Sequence, residues 1–188
     1  MLVLASSSPR RREILRSMGL KFKAVDPGIR EVVYDDPVRT VMENALNKAL
    51  AVQSSYADLP ILASDTVVFL DGVLPKPSGP EDAFAMLRKL SGKSHLVFTA
   101  TVLLHGSRRY SHLDFARVFF YPMSDEEIEW YVGTGEPMDK AGGYAVQGIG
   151  ARFIRKVEGD FFTVVGLSPA VVYRLLRQAD LIGLFRRG

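Results

Sequence analysis

The chain has 188 residues, of which 47% are hydrophobic and 24% carry a charge, and its formal net charge at pH 7 is +3. These values predict one folded domain with a real hydrophobic core and exclude intrinsic disorder, while the lack of cysteine excludes disulfides, thiolate catalysis and cysteine-ligated zinc. Because no dense basic tract, apolar span or signal peptide is found, we expect a soluble cytoplasmic protein that binds neither nucleic acid stably nor a membrane.

The first eighteen residues predict a short buried strand, a serine-rich turn and a helix. Leu2–Leu4 supply the strand, Ser8 is a suitable N-cap, and Pro9 suits the first helical position. Three arginines, Arg10–Arg12, follow in the first turn, where the helix dipole disfavours each cation by roughly 0.3–1 kcal/mol. An external anion bound by backbone N–H groups, serine hydroxyls and guanidinium groups would explain them, and a solvated basic turn is the alternative.

The rest of the chain alternates predicted strands and helices. Strands are predicted over Phe22–Val25, Ile61–Leu70, Leu96–Leu104 and Arg108–Tyr121, and a second hairpin over Phe153–Glu158 and Phe161–Val165. Helices are predicted to begin at Pro37, Pro80, Ser124 and Ser168-Pro169, and the apolar stripe of the first of these assigns Lys48 to the helix surface. Parallel and antiparallel signals together predict a mixed α/β (α+β) fold with one long sheet flanked by helices.

Two charged residues occupy positions that packing of a hydrophobic core does not explain. Asp65 interrupts an apolar strand, so its carboxylate needs a cation, a metal or several donors, and next to Thr66 it is suited to holding Mg²⁺ or activating a water. The alternative is an aspartate at a strand end that accepts from loop N–H groups. Lys76 is held between two prolines and suits phosphate binding, although a solvated loop lysine fits the spacing as well. Glu31 and Lys48 are further candidates with an ordinary surface alternative.

The segment Glu136–Gly150 is rich in glycine and carries polar residues that no amphipathic pattern explains. Gln147 among these glycines could contact a base edge with one donor and one acceptor. The alternative is a glycine-rich surface connection. The three histidines lack the spacing of metal ligands and are predicted to be surface or turn residues: His95, His105 and His112.

Six motifs, in one order along nearly the whole chain, resemble those of the Maf family. They are LASSSPRR (4–11), LASDTVV (62–68), LPKP (74–77), LSGKSH (90–95), EPMDKAGGYAVQG (136–148) and VVGLSP (164–169). The resemblance implies a two-lobed mixed sheet with a central cleft, similar to the inosine triphosphatase architecture. It implies a nucleoside triphosphate pyrophosphatase that uses a divalent metal, Mg²⁺ or Mn²⁺. The segment DKAGGYAVQG is similar to the corresponding segment of the branch that acts on dTTP and UTP. The resemblance also implies that the enzyme removes unwanted nucleotides from the nucleotide pool.

The resemblance also implies roles for single residues. Asp65 matches the proton acceptor and, with Glu31, a metal ligand. The implied phosphate-binding residues are Ser6, Arg10, Arg11, Lys48 and Lys76, and those implied in substrate choice are Arg10, Thr66 and Gln147. The chain departs from the family pattern where Arg30 replaces an aspartate before Glu31 and where Pro75 replaces a glycine before Lys76.

Two other functions stay open at this point. A non-catalytic nucleotide-binding regulator linked to cell division would need the basic residues but not Asp65. A phosphatase that removes the terminal phosphate would leave a diphosphate. The sequence leaves the oligomeric state open, a homodimer included.

Overall fold

A computed structural model describes residues 1–185, and a mixed sheet of seven strands forms its centre. The strands are β1 (Leu2–Ala5), β2 (Phe22–Val25), β3 (Ile61–Phe69), β4 (Val73–Leu74), β5 (Ser94–His105), β6 (Arg108–Phe120) and β7 (Ile154–Glu158). Their order is β2-β1-β3-β5-β6-β7, with β4 paired to β3. β1 is parallel to β2 and β3, whereas the pairings from β3 to β7 are antiparallel.

Helices flank this sheet, which confirms the predicted mixed α/β fold. They are α1 (Pro9–Ser17), α2 (Pro37–Gln53), α3 (Pro80–Leu90), α4 (Asp125–Gly133), α5 (Phe161–Val165) and α6 (Pro169–Gln178). Short 3₁₀ turns span Glu136–Asp139, Ala141–Gly143, Ile149–Phe153 and Ile182–Phe185. Proline stands at the first position of α1, α2, α3 and α6, where its missing N–H costs no hydrogen bond. Within residues 1–185, none of the helices has the length and apolar character needed to cross a membrane.

The core divides between the two faces of the sheet, because alternate residues of a strand point to opposite sides. On one face, Leu4 and Leu62 pack with side chains of α1 and α6. On the other face, Val3 and Ala63 pack with side chains of α2. A third cluster joins α3 and α4 to the far part of the sheet.

The unequal lengths of β1 and β3 make room for a ligand. The two strands pair only at Val3 with Ile61 and Leu4 with Leu62. Beyond these pairs β3 continues to Phe69 with β5 on its other side. Asp65 therefore faces the loops that follow β1 and β2, and the carboxyl ends of parallel strands are where open α/β sheets bind ligands.

The predicted second hairpin is wrong in its second half. β7 is a strand as expected, but Phe161–Val165 forms the short helix α5. The Asp160 side chain accepts a hydrogen bond of 2.9 Å from the N–H of Phe162, and Gly166 ends the helix at a φ of 112°. The aromatic and β-branched residues favour a strand, but the N-cap and the terminal glycine outweigh that preference here.

The surface position predicted for Lys48 is also wrong. Only 6% of Lys48 is exposed, and two further polar residues of α2, Thr40 and Asn44, are as deeply buried. The buried face of α2 was predicted from its apolar residues alone, although polar residues also lie on it. The three polar residues are spaced four apart, so they share one face of the helix.

His95, predicted to be a surface or turn residue, is buried with 2% of its surface exposed. Its Nε2 lies 2.7 Å from the Tyr144 hydroxyl, and its ring packs edge-on against Phe120. Within the described residues its Nδ1 has no hydrogen-bond partner. Burial lowers the pKa of His95 to about 4, so the ring is neutral near pH 7. The other two histidines are half-buried.

This burial predicts a pH dependence of folding. Because the pKa of His95 is about 4 when folded, against an ordinary value of 6.5, the unfolded chain binds more protons between these values. The free energy of unfolding should therefore fall as the pH is lowered from 6.5 to 4, by about 3 kcal/mol in total. We expect urea unfolding of His95→Gln to lack this part of the slope, whereas His105→Gln should keep it. Equal slopes for all three proteins would contradict the prediction.

Candidate active site

A cavity of about 390 Å³ lies at the carboxyl ends of β1 and β2. Its wall is formed by the turn into α1, the loop after β2, the exposed edge of β3, and the glycine-rich segment. Eight predicted site residues line it: Ser6, Arg10, Arg11, Glu31, Lys48, Asp65, Thr66 and Lys76. The ninth, Gln147, is exposed and is not among the lining residues. The structure therefore brings together residues that lie far apart in the chain.

The turn between β1 and α1 has the features of an anion site. Ser6 is buried and its hydroxyl accepts a hydrogen bond of 3.2 Å from the N–H of Ser8. The Ser8 side chain does not cap α1, and the first turn of the helix carries no acidic residue. Arg10 lies partly exposed at the same end. An uncapped helix start beside a cation attracts anionic oxygens.

The guanidinium group of Arg11, by contrast, is buried and donates hydrogen bonds to the protein itself. Its Nε donates to the Gly166 carbonyl at 2.9 Å, and its Nη2 donates to the Thr66 hydroxyl at 3.2 Å. Burial lowers the pKa of Arg11, while the nearby carboxylates of Asp65 and Glu31 oppose that shift. Arg11 therefore joins α1 to β3 and to the α5–α6 connection at the cavity wall.

The hydrogen bonds of Thr66 continue deeper into the fold. Its hydroxyl lies 2.8 Å from that of Thr99, which also lies 2.8 Å from the Thr163 carbonyl in α5. Ser64 reaches the same Gly166 carbonyl as Arg11, at 2.9 Å. Strands β3 and β5 and helix α5 are thus linked by polar groups directly behind the cavity.

Lys48 joins the two carboxylates of the cavity. Its Nζ lies 2.6 Å from Asp65 Oδ1 and 2.6 Å from Glu31 Oε1. Glu31 in turn contacts Lys76, whose Nζ lies 3.0 Å from Oε2. The result is a chain of alternating charges, Asp65–Lys48–Glu31–Lys76, that runs from the buried strand β3 to the solvent. The cation that a buried Asp65 requires is therefore Lys48.

This chain of charges controls the ionisation of Glu31. Burial alone would raise the pKa of its carboxyl, but the ammonium groups of Lys48 and Lys76 outweigh that effect and lower it to about 2. The stabilisation from Glu31 is therefore fully present above its ordinary pKa of 4.5 and is lost as the pH falls toward 2. Glu31 is negatively charged at any physiological pH.

The sequence patterns did not identify two buried residues that lie beside these four charged side chains. Asn44 Nδ2 lies 3.2 Å from Asp65 Oδ2, and the Thr40 hydroxyl accepts a hydrogen bond of 3.0 Å from the N–H of Tyr34. Both lie on the face of α2 that carries Lys48. That spacing, together with the demand of a buried Asp65 for donors, is the signal that could have identified them.

The glycine-rich segment is tied to α4 through Glu136. The Glu136 carboxylate accepts hydrogen bonds from the Tyr131 hydroxyl at 2.7 Å and from the N–H groups of Ile149 and Gly150 at 2.9 and 2.8 Å. A side chain at Gly148, where φ is 108°, would collide with this carboxylate. The bonds fix the backbone that follows the exposed Gln147, whose role in substrate choice stays a prediction.

The cavity offers few protein ligands for a metal. Among residues 1–185, no cluster of three or more His, Cys, Asp or Glu side chains is placed to hold an ion. Asp65 and Glu31 remain, bridged by Lys48. Mg²⁺ is commonly held by one or two carboxylates together with the phosphates of its substrate. The two carboxylates therefore fit an ion that binds with a polyphosphate.

The fold and cavity together define an α/β protein with a cavity at the carboxyl ends of its parallel strands, lined by cations next to a buried carboxylate. The chain belongs to the Maf family, whose model, described as "Maf-like protein", matches residues 1–179.

Curated relatives match over nearly their whole length. A protein of Thermus thermophilus named "dTTP/UTP pyrophosphatase" is 46% identical over 177 residues, covering 93% of this chain and 92% of the relative. A Carboxydothermus hydrogenoformans protein with the same name is 42% identical over 181 residues, covering 94% and 97%. Among solved structures, the Staphylococcus aureus Ham1 protein aligns with a TM-score of 0.49 and 12% identity, over 98% of this chain and 95% of that one.

Proposed function

We propose that this protein hydrolyses dTTP and UTP to the nucleoside monophosphate and pyrophosphate. The observation that carries the proposal is the ammonium group of Lys48, which lies 2.6 Å from each of two carboxylates inside the cavity. Such a group of charges can bind a triphosphate and supply a base. The names of relatives that match this chain over more than nine-tenths of its length support the choice of substrate.

Cations and the start of α1 would bind the triphosphate. Arg10, Lys48 and Lys76 line the cavity together with the Ser6 hydroxyl, and we assign them to the phosphate oxygens. Arg11 supports this surface from behind through its bonds to Gly166 and Thr66. In phosphoryl transfer the protein acts mainly by positioning and by offsetting charge on the leaving group.

Asp65 would accept the proton of the attacking water. The water oxygen forms a bond to the α-phosphorus, the bond from that phosphorus to the bridging oxygen breaks, and pyrophosphate leaves with the electron pair. The proton released by the water passes to the Asp65 carboxylate. Because Lys48 and Asn44 each contact one oxygen of this carboxylate, its orientation is set before a substrate binds.

We further propose that Asp65 and Glu31 hold a divalent cation, Mg²⁺ or Mn²⁺. When bound, such a cation offsets negative charge on the phosphate oxygens. It would share the carboxylates with the Lys48 ammonium group, which contacts both of them.

We assign substrate choice to Arg10, Thr66 and Gln147. Arg10 and Thr66 line the cavity, whereas Gln147 is exposed beyond its lining. A role for Gln147 therefore requires that the bound nucleotide extend past the cavity or that the glycine-rich segment close over it.

Product analysis in ¹⁸O-labelled water tests the proposed function. The protein is incubated with dTTP, UTP, CTP, dGTP or ATP and with Mg²⁺ or Mn²⁺. The products are then separated, and their masses are measured by mass spectrometry. We expect dTMP and UMP with one ¹⁸O in the monophosphate, and unlabelled pyrophosphate. A diphosphate with labelled inorganic phosphate would indicate a terminal phosphatase, and nucleotide binding without any product would indicate a non-catalytic binder. Either result would overturn the proposal.

A further inference from the structure

Asn44 on α2 lies between the two carboxylate-bearing parts of the site. Only 2% of it is exposed. Its Oδ1 accepts from the N–H of Val32 at 2.9 Å, and its Nδ2 donates to the Val32 carbonyl at 2.9 Å and to Asp65 Oδ2 at 3.2 Å. Val32 directly follows Glu31 in the loop that forms one wall of the cavity.

These bonds fix the orientation of the amide group. The N–H of Val32 can only donate and its carbonyl can only accept, so exchanging the two ends of the Asn44 amide would oppose donor to donor and acceptor to acceptor. The two backbone bonds thus direct the remaining N–H of Nδ2 toward Asp65. This N–H is the donor that contacts the oxygen of Asp65 left free by Lys48.

Thr40 provides a natural comparison one helical turn earlier. Its hydroxyl accepts from the N–H of Tyr34 at 3.0 Å and lies 3.2 Å from the carbonyl of the same residue. Thr40 and Asn44 therefore hold alternate residues of the same loop segment against α2. Among the hydrogen bonds of the described residues, only Asn44 of this pair reaches Asp65.

We propose that Asn44 is a positioning residue that holds the Asp65 carboxylate and the Glu31 loop in one fixed arrangement. The inference rests on the proposed function, since it assigns Asn44 to the proton acceptor of that reaction. Asn44 contacts the carboxylate and the loop but is not among the residues that line the cavity. Its loss should therefore slow the chemical step more than it weakens substrate binding.

The test compares four variants of the full chain. Asn44→Leu removes all three bonds at similar volume, and Asn44→Ala removes them while leaving space for water, in case the leucine variant fails to fold. Thr40→Val releases the same loop without touching Asp65. Asn47→Leu changes an exposed asparagine of the same helix. For each, kcat and KM for dTTP, the melting temperature, and hydrogen exchange at the Val32 and Tyr34 amides are measured.

We expect kcat of the Asn44 variants to fall on the order of 10- to 100-fold, because a small misplacement of a catalytic group has effects of this size. KM should stay within about threefold, and Val32 should lose exchange protection. Thr40→Val should lose protection at Tyr34 but keep kcat within about threefold, and Asn47→Leu should resemble the wild type. A similar kcat loss in Thr40→Val and the Asn44 variants would overturn the inference, as would a loss confined to KM.

A double-mutant cycle separates positioning from general destabilisation. In the Asp65→Asn background, adding Asn44→Leu should lower the residual rate by less than about twofold, because residues that act as one unit are not additive. If Asn44→Leu lowered the rate in the Asp65→Asn background by the same factor as it does in the wild type, the inference would be overturned. If wild-type protein cleaves dTTP and the Asn44 variants match it, only this inference fails. If wild-type protein yields no monophosphate, the proposed function fails and the inference fails with it.

Discussion

Replacing Asp65 with asparagine is expected to lower kcat for dTTP by roughly 10²- to 10⁴-fold, the usual contribution of a general base. The amide has nearly the same shape and keeps one oxygen to accept from Lys48, but its nitrogen then faces the Asn44 Nδ2 donor to donor, and it cannot take up a proton. Nucleotide binding should persist, because the cations proposed to bind phosphate, Arg10, Lys48 and Lys76, are unchanged. The measurement is steady-state turnover together with calorimetric titration of a non-hydrolysable dTTP analogue.

Asp71→Asn is the matched control for this change. Asp71 follows the same strand in a turn at a φ of 50°, a conformation that asparagine tolerates well. It should keep both turnover and affinity for the analogue. If Asp65→Asn turned over dTTP like the control, Asp65 would not be the proton acceptor.

Replacing Lys48 with methionine is expected to affect both activity and folding. The buried Asp65 carboxylate loses its cation, and removing one partner of a buried ion pair costs about 3–5 kcal/mol in the free energy of unfolding. We expect kcat to fall by at least about 10²-fold, since the lysine is also proposed to neutralise charge at the reacting phosphates. Urea unfolding and steady-state kinetics measure the two effects.

The same variant tests the metal assignment. Without the ammonium group, Asp65 and Glu31 are free to bind a cation, so Mg²⁺ should raise the melting temperature of Lys48→Met more than that of the wild type. Lys93→Met, at an exposed lysine, should respond to Mg²⁺ like the wild type. An equal response of all three proteins would count against Asp65 and Glu31 as the metal-binding pair.

Local signals in the sequence predicted most of the fold. Helix α4 follows its N-cap Ser124 as predicted, with a capping box closed by Glu127, and the sequence Asp71-Gly72, which is typical of a tight hairpin turn, joins β3 to β4. Such features depend on neighbours within a few residues, so they can be identified before the fold is known. The exception is Phe161–Val165, where composition predicts a strand but the cap at Asp160 and the glycine that follows produce a helix.

The site was predictable only in part, because its key contacts join distant segments. The sequence indicated that a buried Asp65 needs a cation, a metal or several donors, but it could not show that Lys48 supplies the cation from another element. It also placed Lys48 on the surface, since lysine is ordinarily exposed and the predicted buried face of the helix contained apolar residues only. Asn44 was missed for a related reason. Its partners are the backbone of Val32 and a carboxylate on β3, which no pattern within α2 can reveal.

The hydroxyl chain behind the cavity limits how Thr66 can meet a ligand. Thr99 has one proton, and a carbonyl can only accept, so this proton goes to Thr163. Thr66 must then donate its own proton to Thr99, and it accepts from Arg11. Toward the cavity the Thr66 oxygen therefore presents only a lone pair. A donor such as the N3–H of thymine or uracil can bond to it, whereas the unprotonated N3 of cytosine would be repelled.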